Sequence, residues 1–415
     1  MTSNKNRYFG LYLLTIFIFA VFWLFIKQKI GNDWGVSEWI INYQGGFTRR
    51  GLPGEIAFNI AKTLDLKLRF VIFLLQSLFY MIYLFLIYNF FKKVKTNVVI
   101  LFSIFTPIFL FYHVAELESL ARKEIFLFIG YIWFYNISKK SDSINKSISW
   151  IIFILPIISI LYEPAIFYFS FFAATIIIKL KNQKLLKKIL IIFVIFIPSI
   201  IVSWFSAFTL ISAEEFQAMQ LSLSENFNES CYGSCSLMQT KKEVLVHIMG
   251  TIGKLTEAKY SLYIYLFRYF FILIIGSAPL LIMIKYSKLK IKIFNFKNLI
   301  LPFILLNIFV PIHWLMFIDW GRAVNIFYVS SLLFFFYLYK NEFIKVDFAT
   351  IKKKIEVIMI YFIKIKFFKK KSFVVFVFII YAFGWSPPTL LSSDVNSFPG
   401  YRLPYKTAKV LFLNK

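Results

Sequence analysis

Long apolar runs dominate this chain, and each is of the length a bilayer demands, roughly 17–25 residues for a helix that crosses it. About eleven are readable, near 8–26, 68–91, 97–112, 125–137, 148–162, 164–178, 189–210, 262–284, 298–318, 323–339 and 372–386. With 60% hydrophobic and 16% charged residues in 415, the chain holds more apolar surface than one soluble core can bury. The expected fold class is therefore all-α, a polytopic integral membrane protein with about eleven transmembrane helices, read as a single membrane-embedded unit over 1–415. The fourth and fifth runs are short, which suits tilted or partly re-entrant paths. The first run lacks a small-residue cleavage site and is followed by Lys27 and Lys29, so it is expected to remain as a span.

Charge sets the expected orientation. With the N-terminus inside, the inner loops hold 28 Lys+Arg against 4 Asp+Glu, while the outer segments are close to balance. The positive-inside rule then places the N-terminus in the cytoplasm and the C-terminus outside. The net charge of +27 is thus a topology signal and not a nucleic-acid footprint. The largest inner segment, 340–371, is lysine-rich around an apolar middle and reads as an interfacial stretch on anionic lipid.

Arginine does not follow lysine. Seven of the eight arginines fall on the outer side. A guanidinium offers a planar fork that grips phosphate or carboxylate in two places, which an ammonium cannot do. The outer loop 27–67 is the richest polar segment, with Asp33, Trp34, Glu38 and Trp39 ahead of Gln44-Gly45-Gly46-Phe47-Thr48-Arg49-Arg50-Gly51-Leu52-Pro53-Gly54-Glu55. Glycines here let backbone amides approach a ligand, and Arg49 and Arg50 suit a phosphate clamp; a solvated loop anchored by its tryptophans is the plainer alternative. The stretch from Ile56 to Leu66 has helical periodicity.

The second outer turn carries Glu116, Arg122 and Glu124, spaced to meet one another, or to add Arg122 to the anion held by Arg49 and Arg50. Glu163 stands between two apolar runs with no cation near it in sequence, so it needs water or a distant partner. Asp319 and Arg322 are spaced for an ion pair, or for a base beside a phosphate donor; Arg268 lies just inside the eighth run, and His313 reads as a hydrogen-bonded core histidine. Cys231 and Cys235 share the outer loop 211–261, where an oxidising compartment favours a disulfide over a metal pair. That loop is long enough to act as a lid.

Phosphate-loop, dinucleotide, zinc and nucleophile-elbow motifs are all missing from the sequence, so no cofactor and no metal is expected. A donor already activated on a lipid fits better: arginines stabilise a diphosphate leaving group, and Asp33, Glu38, Glu163 or Asp319 supplies the base. Trp34, Trp39 and Trp320 are placed to stack on sugars, although interfacial aromatic belts account for most such residues.

The span array, outer arginines and outer carboxylates resemble the Wzy-type O-antigen and capsule polymerases. The resemblance implies transfer of glycan from undecaprenyl diphosphate to a lipid-linked repeat unit at the periplasmic face of a bacterial inner membrane. It also implies arginines at the substrate, matched here to Arg49, Arg50, Arg122 and Arg322, and as partners membrane lipid, a chain-length regulator and other polysaccharide-assembly proteins. The early outer loop is similar to that of C-type glycosyltransferases, in which an acidic residue of the first outer loop is followed by interface helices; Asp33 or Glu38 would be the base and a polyprenyl-phosphate sugar the donor. A lipid-linked-oligosaccharide flippase is the alternative of another class, disfavoured because no internal repeat is visible and the charges gather at one face.

Overall fold

The computed structural model describes residues 2–31, 33–235, 238, 248–253, 262–290, 299–316, 319–363 and 370–389. In chain order the helices are α1 (Thr2–Lys27), α2 (Trp34–Ile40), α3 (Leu52–Thr63), α4 (Leu68–Phe91), α5 (Val98–Ile104), α6 (Leu110–Ala115), α7 (Glu124–Ile137), α8 (Ile144–Leu161) and α9 (Phe169–Lys179). There follow α10 (Leu185–Phe208), α11 (Ala213–Phe227), α12 (Leu262–Lys285), α13 (Ile300–Leu306), α14 (Val310–Leu315), α15 (Trp320–Lys340), α16 (Phe348–Ile363) and α17 (Lys370–Phe383). Strand β1 (Ser287–Leu289) pairs antiparallel with β2 (Ile344–Val346), with Lys288 opposite Lys345.

Among the described residues, six helices are long and apolar enough to cross a membrane: α1, α4, α8, α10, α12 and α15. Helices α7 and α17 are apolar but shorter. The other three expected runs are interrupted. The 97–112 run breaks at Phe105-Thr106-Pro107 into α5 and α6; the 164–178 run begins as a 3-10 turn over Glu163–Tyr168; the 298–318 run divides into α13 and α14 around Asn307 and Pro311. Proline lacks the donor and clashes with the preceding turn, which accounts for interruption at these points.

The chain divides into two compact units. The first comprises residues 1–93 and 117–247. In it α1 packs along α4, α4 against α7, and α8 along α10. The turns that follow α7 and α9 meet at one end, where Lys179 Nζ donates to the carbonyls of Lys139 and Asp142 at 3.0 and 2.9 Å. At the opposite end α2 starts where the Asp33 carboxylate accepts from Val36 N–H at 2.9 Å, a side-chain cap on an otherwise orphan donor. Helix α11 starts with a reciprocal capping box between Ser212 and Glu215 and stops at Asn228 in the left-handed region.

Helix α3 begins earlier than its periodicity suggests, because Pro53 presets the helical φ at its first turn and draws Gly54 and Glu55 into the helix. The glycines of this loop serve protein packing, which corrects the expectation that they admit a ligand. A Cβ on Gly54 would lie 1.9 Å from Ile41 O, and one on Gly45 1.8 Å from Glu215 O. Gly54→Ala is therefore expected to destabilise the chain by roughly 1–3 kcal/mol, since backbone on both sides must yield. A thermal midpoint equal to that of the wild type would contradict this.

The second unit comprises 94–116 and 248–415. Its centre is α15, whose spanning window is 94% buried inside the protein, against 39% for α12. A helix buried on every side must satisfy its polar groups within the fold. Here those groups repair the α5–α6 interruption: Asn325 Nδ2 donates to Ile108 O and Phe109 O at 2.9 and 3.1 Å, and Tyr328 OH donates to Ser103 O at 2.7 Å. Broken backbone at membrane depth requires such partners. In the basic segment 340–371, Lys352, Lys353 and Lys354 lie exposed on α16, while Lys364, Lys366 and Lys369 fall outside the described residues.

Candidate functional site

The end of the first unit that carries α2 gathers ionisable groups from four places in the chain. Arg50 is their hub. Its Nε and Nη2 donate to Glu163 Oε2 and Oε1, both at 2.7 Å, a two-pronged grip across 113 residues of sequence. Its remaining edge reaches Glu38, with Nη1 to Oε1 at 3.0 Å. The second oxygen of Glu38 accepts from Arg122 Nη1 at 3.3 Å, so two arginines close on one carboxylate. Arg122 is further held by Trp34 O and Glu118 O, at 3.1 and 2.8 Å. Glu163, without a cation near it in sequence, thus acquires one from the loop before α3.

Burial sharpens these pairings. Glu38 is 1% exposed, Arg49 2% and Lys123 not at all. Burial opposes the charge on Arg50, yet Glu163 and then Glu38 hold its pKa above the ordinary arginine range. Arg49 is different: burial lowers its pKa to about 10, offset in part by Glu163 and reinforced by Arg50. Its Nε donates to Met238 Sδ at 3.4 Å, and a thioether is a weak acceptor.

Both cation-bearing segments contain backbone that L-residues adopt at a cost. Arg50 has φ +59° and Ala121, next to Arg122, φ +50°. Each is held by a buried donor: Lys123 Nζ to the Arg50 carbonyl, and Trp39 Nε1 to Ala121 O at 3.1 Å. Backbone kept in this region by its surroundings is common at functional sites.

Other expected residues take supporting places. Asp33 uses Oδ1 to cap α2 and Oδ2 to pair with Lys27 at 2.9 Å, so both oxygens have structural work. Cys231 and Cys235 are joined in a disulfide. The turn it closes docks on α2, where Ser234 N donates to Ser37 Oγ at 3.0 Å; Arg69, paired with Glu229 and lying over the Tyr232 ring, anchors the preceding residues. The remainder of the expected lid, 236–237, 239–247 and 254–261, lies outside the described residues. Trp39 is fully buried and Trp320 nearly so, its Nε1 donating to Trp314 O at 2.9 Å. Trp39 presents no face for stacking, whereas Trp34 is exposed.

The second unit holds its own polar group. Arg322 Nη1 donates to Asp319 Oδ2 at 2.8 Å, the i,i+3 pair expected at the start of α15. Glu116 accepts from Ser386 Oγ and Thr389 Oγ1 at 3.4 and 3.3 Å. Beside Arg268, an open apolar groove of about 520 Å³ is lined by Phe267, Tyr269, Phe270, Trp314, Leu315 and Trp320 among others.

The chain matches no family model, no curated protein and no solved structure. Its site is therefore read from its own geometry. Among the described residues no group of three or more His, Cys, Asp or Glu side chains is arranged to hold a metal ion. Lys123 is the residue that sequence reasoning passed over. It sits beside Arg122 in sequence, but nothing local announces that it is fully buried or that it reaches the 42–51 loop.

Proposed function

We propose that this chain is a membrane glycan-transfer enzyme, a Wzy-type polysaccharide polymerase that moves glycan from undecaprenyl diphosphate to a lipid-linked repeat unit at the outer face of a bacterial inner membrane. The observation that carries the reading is the buried set of Arg49, Arg50, Arg122 and Lys123 against Glu38 and Glu163, at the end opposite the lysine-rich loops of the first unit. Such a set supplies both requirements of the reaction. Arginines stabilise charge growing on the diphosphate, and a carboxylate takes the acceptor proton.

In this scheme the donor phosphate meets Arg49 and draws one edge of Arg50 away from Glu163. The freed Glu163 carboxylate removes the acceptor hydroxyl proton. The acceptor oxygen forms its bond to the anomeric carbon as the carbon–oxygen bond to diphosphate breaks, and the electron pair leaves with the diphosphate. Asp33 is set aside as the base because it caps α2 and pairs with Lys27, outside the arginine cluster. Arg268, Asp319 and Arg322 belong to the second unit, where we assign the two arginines to lipid-phosphate contacts and Asp319, paired with Arg322, to the alternative base.

One observation favours the C-type glycosyltransferase reading as runner-up. Asp33 follows α1 directly and is followed by the short helices α2 and α3, the order of acidic residue and interface helices expected of that class. The two readings differ in what moves, a repeat unit or a single sugar.

The test is the length distribution of surface polysaccharide in a deletion strain. Loss of long chains with single-repeat glycan still reaching the surface is expected. Retained length with repeats lacking one sugar would replace the polymerase by the single-sugar enzyme, and lipid-linked repeats trapped on the inner leaflet would replace both by a flippase.

A further inference from the structure

Lys123 ends in an amine yet is fully buried at the start of α7. Its Nζ donates to the carbonyl of Arg50, the left-handed residue of the 42–51 loop. Charged groups face it from each segment packed around it: Glu38 from α2, Arg50 from the loop, Glu163 from the turn after α8, and Arg122 from its own segment. A proton on Lys123 would add positive charge to a buried cluster that already holds the Arg50 and Arg122 guanidiniums. Burial accordingly lowers its pKa to about 7; Glu38 and Glu163 oppose the shift, and Arg50 and Arg122 add to it.

We propose that Lys123 is a positioning residue coupled to the charge of the ligand: it ties the Arg50 turn to the start of α7 and takes up a proton when an anionic headgroup enters the cluster. The proposal rests on the preceding reading that the ligand carries phosphate. An added anion beside Lys123 favours its ammonium form. The ammonium then holds the Arg50 backbone while the Arg50 guanidinium exchanges Glu163 for phosphate. Arg50 is thereby steered by a group that never touches the reacting atoms.

The purified full-length chain in detergent, titrated with farnesyl diphosphate, tests the coupling. Wild-type affinity is expected to fall about tenfold from pH 6 to pH 8, beyond the fall shown by Lys123→Arg, whose charge persists at both values. Equal pH dependence in the two proteins overturns the coupling.

The ligand-free chain gives a second, independent readout. Lys123 carries fewer protons folded than unfolded between pH 7 and about 10.4, so its contribution to stability rises with pH across that window. The thermal midpoint of wild type should therefore gain on that of Lys123→Met as pH rises from 7 to 9. Parallel curves overturn the proposal even if diphosphate binds. A wild type that gains on the variant but binds no diphosphate at either pH keeps the burial and positioning of Lys123, and overturns both the headgroup coupling and the phosphate reading.

Discussion

Arg50→Ala is expected to cost about 3–5 kcal/mol of stability, the range found when one partner of a buried ion pair is removed. The cause is the pair of carboxylates left behind. Glu38 and Glu163 are both buried, and Arg50 supplies a two-pronged grip to one and a third hydrogen bond to the other. Arg122 remains on Glu38, while Glu163 loses both prongs of the Arg50 grip. Arg50→Lys should recover only part of the loss, because one ammonium cannot reproduce a planar fork that spans two acceptors. Adding Glu163→Gln to Arg50→Ala should return stability by removing the uncompensated charge. Thermal unfolding of the detergent-solubilised chain checks the series, and an Arg50→Ala midpoint indistinguishable from wild type would show that the hub carries no structural load.

Under the proposed function, Arg49→Ala is expected to lower glycan transfer by about a hundredfold, the scale seen when one fixed donor to a developing anion is removed. Burial holds the Arg49 pKa down at about 10 against the opposing pull of Glu163, whereas Arg50 grips two carboxylates. Arg49→Lys should fall between wild type and alanine, since it keeps the charge and loses the fork. Complementation of a deletion strain, read as polysaccharide chain length with protein level as control, makes the measurement. Full rescue by Arg49→Ala would remove this residue from the site.

The two arginines are neighbours in the chain, and their sequence neighbourhood is identical. Their roles separate because residue 50 enters the left-handed region and turns its side chain onto Glu38 and Glu163. Three signals in the sequence did identify this region: charge in a glycine-rich loop between spans, arginine where lysine is otherwise common, and a carboxylate at Glu163 that required a distant partner. The glycines suggested close approach of a ligand, whereas Gly45 meets α11 and Gly54 meets the Ile41 carbonyl. Lys123 stayed hidden because burial of a terminal amine depends on residues from α2, the 42–51 loop and the turn at Glu163.

What the sequence determined by itself is the material of the fold: helices set by apolar length, interruptions set by proline, and starts set by side-chain caps at Asp33, Asn97 and Ser212. These are local properties, fixed by a residue and its neighbours within one or two turns. Only the tertiary structure decided that α15 is buried on every side, that Asn325 covers the carbonyls freed between α5 and α6, and that Arg50 chooses Glu38 and Glu163. Those choices follow from which segments meet, and electrostatic pairing takes its strength from the burial that the meeting creates.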